Sequence, residues 1–168
     1  VPFATFGELE TGDEIRFITY EKSAASRLPE YGPGRLVVPD LGLSTPVLEV
    51  VDPEGDDHGP GTYSYATDSI FASKVYDLKS FKVAYDENNI IFKIETFGAI
   101  PNPWGSPNNL AIQTIDVYVD VDPGQSTGER KLLPGRNLAL SSEYGWEYAI
   151  WAEGWTPQIL KPDPEGVE

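Results

Sequence analysis

The residues of this sequence best suited to bind a metal ion are carboxylates gathered in the segment 52–57. Glycine at 55 and the run Gly59-Pro60-Gly61 bend the chain around them. Several oxygen ligands on a flexible loop suit calcium, although the spacing is not that of an EF-hand. The alternative is a solvated acidic turn in which Asp56 or Asp57 caps backbone groups. The four clustered carboxylates are Asp52, Glu54, Asp56 and Asp57.

Acidic residues further along the chain extend this hypothesis. Asp77 precedes a predicted strand and is a candidate distant ligand of the same ion, but an Asx-turn at the strand entrance explains it equally well. Asp120 and Asp122 lie at a predicted strand end, where a structural turn is favoured over a second metal site. The predicted calcium ligands are therefore Asp52, Asp56, Asp57 and Asp77.

Residues that support catalysis are scarce. His58 is the only histidine and cysteine is absent, which excludes His-based zinc sites, Ser-His-Asp triads and Cys-His pairs. Glu143, Glu147 and Glu153 lie near several tryptophans, but spacing alone places no acid beside a nucleophile for glycoside cleavage. We therefore expect no catalytic site within this chain.

The tryptophans are the other conspicuous group. Sugar rings stack on exposed aromatic faces, while their hydroxyls need amide or carboxylate partners. Trp104 lies in a loop that begins at Asn102, and the prolines of this loop hold the ring at low entropic cost. Trp146 shares strand parity with Tyr148 and is predicted to lie in the core. The predicted surface ligand residues are Trp104, Trp151 and Trp155, with Asn102 as a polar partner.

Composition narrows the class of protein. The chain has 168 residues, 27 Asp plus Glu against 12 Lys plus Arg, and a net charge of -15. This length fits one principal domain, and this charge argues against nucleic acid and anionic membranes as partners. No stretch is long enough for a membrane helix, so membrane insertion is not expected. Cysteine is absent, so disulfides cannot stabilise the fold and bound calcium is the expected substitute. The absence of both cysteine and methionine also fits a heat-stable protein.

The hydrophobic pattern predicts strands and no helices. Alternating apolar residues mark strands at 14–21, 35–38 and 47–51, a hairpin across 81–94, a long strand at 110–121 and another at 147–155. Residues 23–34 are predicted to form a loop. The predicted fold class is all-β, an antiparallel two-sheet β-sandwich with jelly-roll or immunoglobulin-like layering, incomplete at the C-terminus.

Several of these segments together resemble the C-terminal module of glucodextranase and of archaeal amylopullulanases, which is related to DOMON-like and family 9 carbohydrate-binding folds. The similarity covers about residues 47–160 in the same order. The matching stretches are 52–63 (DPEGDDHGPGTY), 76–81 (YDLKSF), 102–104 (NPW), Gln113, 117–124 (VYVDVDPG) and 144–149 (YGWEYA).

The resemblance implies a β-sandwich appended to extracellular proteins, often α-glucan hydrolases or surface proteins. It carries Asp52, Asp56, Asp57 and Asp77 over as metal ligands, and Trp104 and Gln113 as ligand positions. Two departures from the family pattern are Ala66, where proline is frequent, and closing strands that are missing after Trp155.

These inferences divide the chain into residues 1–46, an N-terminal extension or the end of a preceding β domain, and residues 47–168, the calcium-binding module. Val1 in place of methionine indicates a processed or excised piece, and the turn-forming end 161–168 indicates that more chain or a partner strand completes the sheet. The predicted function is non-catalytic binding of a polysaccharide, an α-glucan or cell-wall polymer, in an extracellular or cell-surface protein. The alternative is a structural S-layer or filament protein with calcium-stabilised lattice contacts.

Overall fold

A computed structural model describes the backbone of residues 14–21, 26–28, 34–37, 46–57, 67–86 and 89–163, and side chains from residue 47 onward within these ranges. Nine strands and no helix occur in these ranges. Accordingly, no helix of the described chain is long and apolar enough to cross a membrane. The strands are β1 (Glu14–Glu21), β2 (Ser26–Leu28), β3 (Gly34–Val37), β4 (Pro46–Val51), β5 (Leu78–Tyr85), β6 (Ile90–Thr96), β7 (Ile115–Asp120), β8 (Tyr148–Ala152) and β9 (Gln158–Leu160).

The strands form two antiparallel sheets. The larger sheet has the order β2-β1-β7-β8-β9, and β3 also pairs with β1. Strand β1 pairs with β3 through residues 14–17, with β2 through residues 19–21 and with β7 through residues 16–21. The smaller sheet has the order β4-β5-β6. In β6, the core residues Ile90, Phe92 and Ile94 alternate with Ile91, Lys93 and Glu95, as expected of a strand with one buried face.

The two sheets pack face to face around the main hydrophobic core. Leu78, Phe81 and Val83 of β5 meet Val117 and Val119 of β7 in this core, together with residues of β6 and β8. The rings of Phe81 and Phe92 stack with centroids 6.2 Å apart. The predicted antiparallel β-sandwich is therefore confirmed.

Strand β7 is buried on both faces. Its alternate residue Tyr118 points away from the main core into a second cluster with Leu132, Leu133, Trp146 and Ala149. These residues come largely from the segment 129–146, which covers the outer face of the larger sheet. The segment is held by bridges between Glu129 and Trp146 and between Lys131 and Ala139, and by a 2.8 Å hydrogen bond from Trp146 Nε1 to the Lys131 carbonyl.

A buried ion pair fastens this covering segment to β7. The guanidinium of Arg136 donates from Nη2 to Asp116 Oδ1 at 2.7 Å and from Nε to Oδ2 at 2.6 Å. The Tyr118 hydroxyl donates to Asp116 at 3.1 Å and accepts from the Leu133 amide at 3.0 Å. Because burial makes a bidentate pair costly to break from one side, this network fixes the position of the segment.

The structure corrects the predictions from sequence at four places. Residues 110–114 precede β7 and are not part of it, and the predicted loop 23–34 contains β2. Strand β9 pairs with β8 after Trp155, so a closing strand is present where the sequence predicted none. Trp146 is buried as predicted, but it packs on the outer face, whereas Tyr148 packs in the main core. The strand parity of Trp146 and Tyr148 did not predict a shared face, because Trp146 precedes β8 and is not part of the strand.

Replacing Arg136 with alanine tests the role of this ion pair. The variant leaves the Asp116 carboxylate buried without its cation, so we expect a loss of about 3–5 kcal/mol in the free energy of unfolding. The measurement is urea denaturation, with the midpoint compared at an unchanged m-value. Lys93→Ala is the control, because its 3.1 Å pair with Glu95 is exposed and contributes about 1 kcal/mol or less. Equal effects of the two variants would contradict the expectation.

Candidate metal and ligand sites

The predicted metal loop follows β4 and is tied to the turn before β5. The Asp52 amide donates to the Lys79 carbonyl at 3.1 Å, which extends the pairing of β4 with β5 by one residue. The chain then turns at Gly55, whose φ of +91° favours glycine. The Gly55 amide donates to Asp77 Oδ2 at 2.9 Å, across 22 positions of sequence. The loop therefore folds over Asp77.

Asp77 is fully buried, and one of its carboxylate oxygens is left over. Its Oδ2 accepts from Gly55, whereas Oδ1 is enclosed and accepts no hydrogen bond from the residues that the structure describes. Burial raises the pKa of Asp77; the Gly55 hydrogen bond lowers it, while the charges of Asp57 and Asp56 raise it further. A long-range hydrogen bond of this kind is not the local Asx-turn that the sequence also allowed.

The charges around Asp77 fit a divalent cation. Asp57 is half-buried and Asp56 is exposed, and both lie close enough to Asp77 to disfavour its ionisation. Glu54 is engaged elsewhere, because it forms an ion pair with Lys74. A buried carboxylate with a vacant oxygen and further carboxylates beside it is an arrangement that a hard cation with oxygen ligands would stabilise.

A second acidic group converges more closely. Carboxylate oxygens of Asp120, Asp122 and Glu147 lie within 4.8 Å of one another, which among the described residues makes this the group with metal-ligand spacing. Glu147 directly precedes β8, and its amide donates to the Val119 carbonyl at 3.0 Å, which places it beside the end of β7. The 4.8 Å spacing fits an oxygen-ligated cation such as calcium.

Local hydrogen bonds orient these three carboxylates. The Asp122 amide donates to Asp120 at 3.1 Å, the Thr127 hydroxyl donates to Asp122 at 2.6 Å, and the Val121 amide donates to Glu147 Oε2 at 3.0 Å. The other oxygen of Glu147, Oε1, is buried and accepts no hydrogen bond within the described part of the chain. Burial raises the pKa of Glu147; the Val121 hydrogen bond lowers it, and the charges of Asp122 and Asp120 raise it.

Sequence analysis placed Asp120 and Asp122 in a turn and did not connect Glu147 with them. The register pairs Val119 with Tyr148, so the residues that follow Val119 and precede Tyr148 must be neighbours. Predicting the β7–β8 pairing would have identified Glu147. Backbone register also sets Arg16 of β1 opposite Asp120.

Two of the predicted ligand tryptophans are exposed on turns that touch each other. The exposed fraction is 60% for Trp104 and 51% for Trp155. The Asn108 amide donates to the Gly154 carbonyl at 3.0 Å. A Cβ atom at Gly154 would overlap the Leu110 carbonyl and the side chain of Ser106, so the two turns approach as closely as glycine permits. We call the surface formed by Trp104 and Trp155 the aromatic platform.

Side-chain hydrogen bonds make both turns of the aromatic platform rigid. Asn102 Oδ1 accepts from the Ser106 amide at 2.8 Å, and Asn102 Nδ2 donates to the Ser106 carbonyl at 3.0 Å and to Asn109 Oδ1 at 2.9 Å. In the other turn, the Glu153 carboxylate accepts from the amides of Trp155 and Thr156. The structure thus places the predicted ligand residue Asn102 within the scaffold of the loop.

Trp151 and Gln113 lie apart from the aromatic platform. Trp151 is half-buried against the outer-face cluster, with the Arg136 guanidinium 5.4 Å from its ring centroid. Gln113 is 3% exposed, and among the described residues neither its amide oxygen nor its amide nitrogen has a hydrogen-bond partner. An orphaned buried amide is costly, so Gln113 marks an interior polar position and not an exposed contact.

The fold and these groups define an antiparallel two-sheet β module with an exposed aromatic pair and two acidic clusters. Residues 47–167 match a family model, the C-terminal binding module, SLH-like, of glucodextranase. The chain belongs to this family, which confirms the resemblance drawn from its motifs. Comparison with curated proteins and with solved structures finds no significant match.

The raised pKa of Asp77 predicts how pH acts on the metal-free protein. A folded-state pKa above the unfolded value of about 3.9 means that the native state holds the extra proton, so this contribution to stability falls as pH rises through that interval. In chelator, we expect Asp77→Asn to be more stable relative to wild type at pH 7 than at pH 4, because the buried wild-type carboxyl loses its proton as pH rises and the amide has none to lose. Urea denaturation at pH 4 and at pH 7 measures the difference in the free energy of unfolding between the variant and wild type. A difference that is the same at both pH values contradicts the expectation.

Proposed function

We propose that this module binds polysaccharide through the aromatic platform and is stabilised by calcium. The observation that carries the proposal is the presence of two strongly exposed tryptophans on adjoining turns that hydrogen bonds hold in place. Exposed aromatic rings on a pre-organised scaffold bind flat apolar faces without a large ordering cost. Sugar rings present such faces. The family of this module, a binding module of glucodextranase, supports the same function.

We also propose a location for the module, supported by its family. Glucodextranase is the enzyme for which its family is described, and we propose that this chain is likewise the non-catalytic part of an extracellular or cell-surface protein, an α-glucan hydrolase such as an amylopullulanase. The polymer would then be an α-glucan or a cell-wall polymer. We keep the boundary near residue 46 as part of this proposal, with β1 contributing to the larger sheet through its pairing with β7.

Calcium is proposed first at Asp77 with Asp52, Asp56 and Asp57. The support is the buried, unpartnered Asp77 Oδ1 and the loop that folds over it. A bound ion would supply the missing partner of that oxygen and neutralise carboxylates that disfavour one another. The group of Asp120, Asp122 and Glu147 offers a second place with closer spacing. The ion would act on stability and not on any chemical step.

Thermal melting with calcium and with chelator tests the metal proposal. Selective binding to the native state at 100 times the dissociation constant adds about 2.7 kcal/mol, which raises the melting temperature by about 5–10 °C in a domain of this size. We expect Asp77→Asn to lose this shift if the ion lies at the 52–57 loop, and Glu147→Gln to lose it if the ion lies at the second group. Equal melting temperatures of the wild-type protein with calcium and with chelator would show that calcium does not stabilise the fold.

Alanine substitutions at Trp104 and Trp155 test the aromatic platform. Each should reduce affinity for a bound polysaccharide roughly tenfold or more, as removal of a central interface aromatic does, with little change in melting temperature because both rings are exposed. Affinity electrophoresis in gels containing soluble starch, dextran or isolated cell-wall glycan provides the measurement. Leu138→Ala is the matched control, since Leu138 is another exposed apolar side chain.

Two results would redirect the proposal. Binding that is equal in wild type and in both tryptophan variants would place the ligand elsewhere on the module. Calcium-dependent assembly with no affinity for any polysaccharide would favour the alternative, a structural surface protein with lattice contacts.

A further inference from the structure

The two chain segments that carry the aromatic platform contain almost no charged residues. These segments, residues 99–114 and 152–160, contain no lysine or arginine and a single acidic residue, Glu153. The carboxylate of Glu153 is already engaged, because it accepts hydrogen bonds from two backbone amides of its own turn. These two segments therefore carry one carboxylate, no cation and several side-chain amides, in a chain whose net charge is -15.

Several cations of the described chain have partners outside the platform. Four of them form ion pairs with carboxylates, namely Lys74, Lys82, Lys93 and Arg136. The cation that follows the platform most closely along the chain, Lys161, lies 4.9 Å over the ring of Tyr148. None of these groups belongs to the turns that carry Trp104 and Trp155. A polymer with regular negative charges would therefore meet no cation on these two segments and would be repelled by the net negative charge of the chain.

Exposed polar groups on the same two segments suit a hydroxyl-bearing ligand. Asn108 and Gln158 are exposed and carry side-chain amides. Amides donate and accept hydrogen bonds, as sugar hydroxyls do, and they need no ionic partner. The platform thus combines apolar rings with neutral hydrogen-bonding groups, which is the complement of an uncharged glycan.

We propose that the aromatic platform selects uncharged polysaccharides and rejects polyanionic ones, including the acidic polymers of cell walls. This inference rests on the proposed function and narrows it from any cell-surface polymer to neutral glycans. The two platform segments contain no cation, so the charges of a polyanionic ligand would have no partner there. This unfavourable term lowers the affinity for polyanions relative to neutral glycans. Affinity for the neutral polymer should accordingly be insensitive to salt.

Matched polymers of one backbone give the test. We would measure affinity electrophoresis of the full chain against soluble starch and carboxymethyl starch, and against dextran and carboxymethyl dextran, each with calcium and with chelator. The expected result is retardation by at least one neutral polymer, at least tenfold weaker retardation by its carboxymethylated form in both buffers, and loss of the neutral retardation in Trp104→Ala.

Thr156→Lys is the gain-of-function variant. It places a cation beside Trp155 on an exposed position whose backbone amide, not its side chain, bonds to Glu153. We expect it to leave neutral affinity within about twofold and to raise affinity for the carboxymethylated polymer severalfold, with a salt dependence that the neutral binding lacks. Thr156→Gln controls for side-chain size and should change neither affinity.

Three outcomes overturn the inference and separate it from the proposed function. Tighter binding of the carboxymethylated form, with or without calcium, refutes neutral selection but keeps polysaccharide binding. Retardation by the anionic polymer in calcium alone would assign recognition to a bound ion. Retardation by no polymer of either kind, together with a concentration-dependent dimer that Trp104→Ala abolishes, refutes the proposed function as well.

Discussion

The double burial of β7 is the constraint on which the rest of this structure depends. Every residue of the strand is buried, with Val117 and Val119 in the core between the sheets and Tyr118 in the cluster beneath the segment 129–146. A strand with two covered faces cannot shift its register by one residue without moving polar groups into the wrong layer. Asp116 is such a polar group, and Arg136 neutralises it on the outer side. The ion pair thus specifies the register as well as the position of the covering segment.

The sites follow from the two ends of that strand. Residues 110–114 lead into β7 from the Trp104 loop, and the Tyr76 hydroxyl reaches the Ile112 carbonyl at 3.4 Å, which brings the turn that bears Asp77 toward the same end. Asp120 and Asp122 lie at the other end, roughly 20 Å away by the length of a six-residue strand. The aromatic platform and the 52–57 loop therefore share an end of the sandwich, while the second acidic group is separate from them.

Buried acids with a vacant oxygen distinguish both acidic groups from ordinary surface carboxylates. Asp77 Oδ1 and Glu147 Oε1 are enclosed without hydrogen-bond partners among the described residues, and burial raises the pKa of both residues. Such groups oppose folding while they are ionised and alone. A bound cation would make the contribution of these carboxylates to the free energy of folding favourable. The polar groups of the aromatic platform differ from these acids, because they have partners. Asn102 and Glu153 accept hydrogen bonds from backbone amides of their own turns, and the tryptophan rings are exposed.

The sequence by itself determined the all-β class, most of the strands, the absence of a histidine- or cysteine-based site, the family, and the exposure of Trp104 and Trp155. These are local properties, since alternation, loop prolines and composition are visible without knowing which strand lies beside which. Tertiary structure alone decided the rest. It joined Glu147 to Asp120 and Asp122 through strand pairing, buried Asp77 beneath a loop 22 positions away, covered Trp151 with Arg136 and enclosed Gln113. Each of those outcomes depends on which distant segments pack together, and hydrophobic periodicity along one segment carries no information about its neighbour.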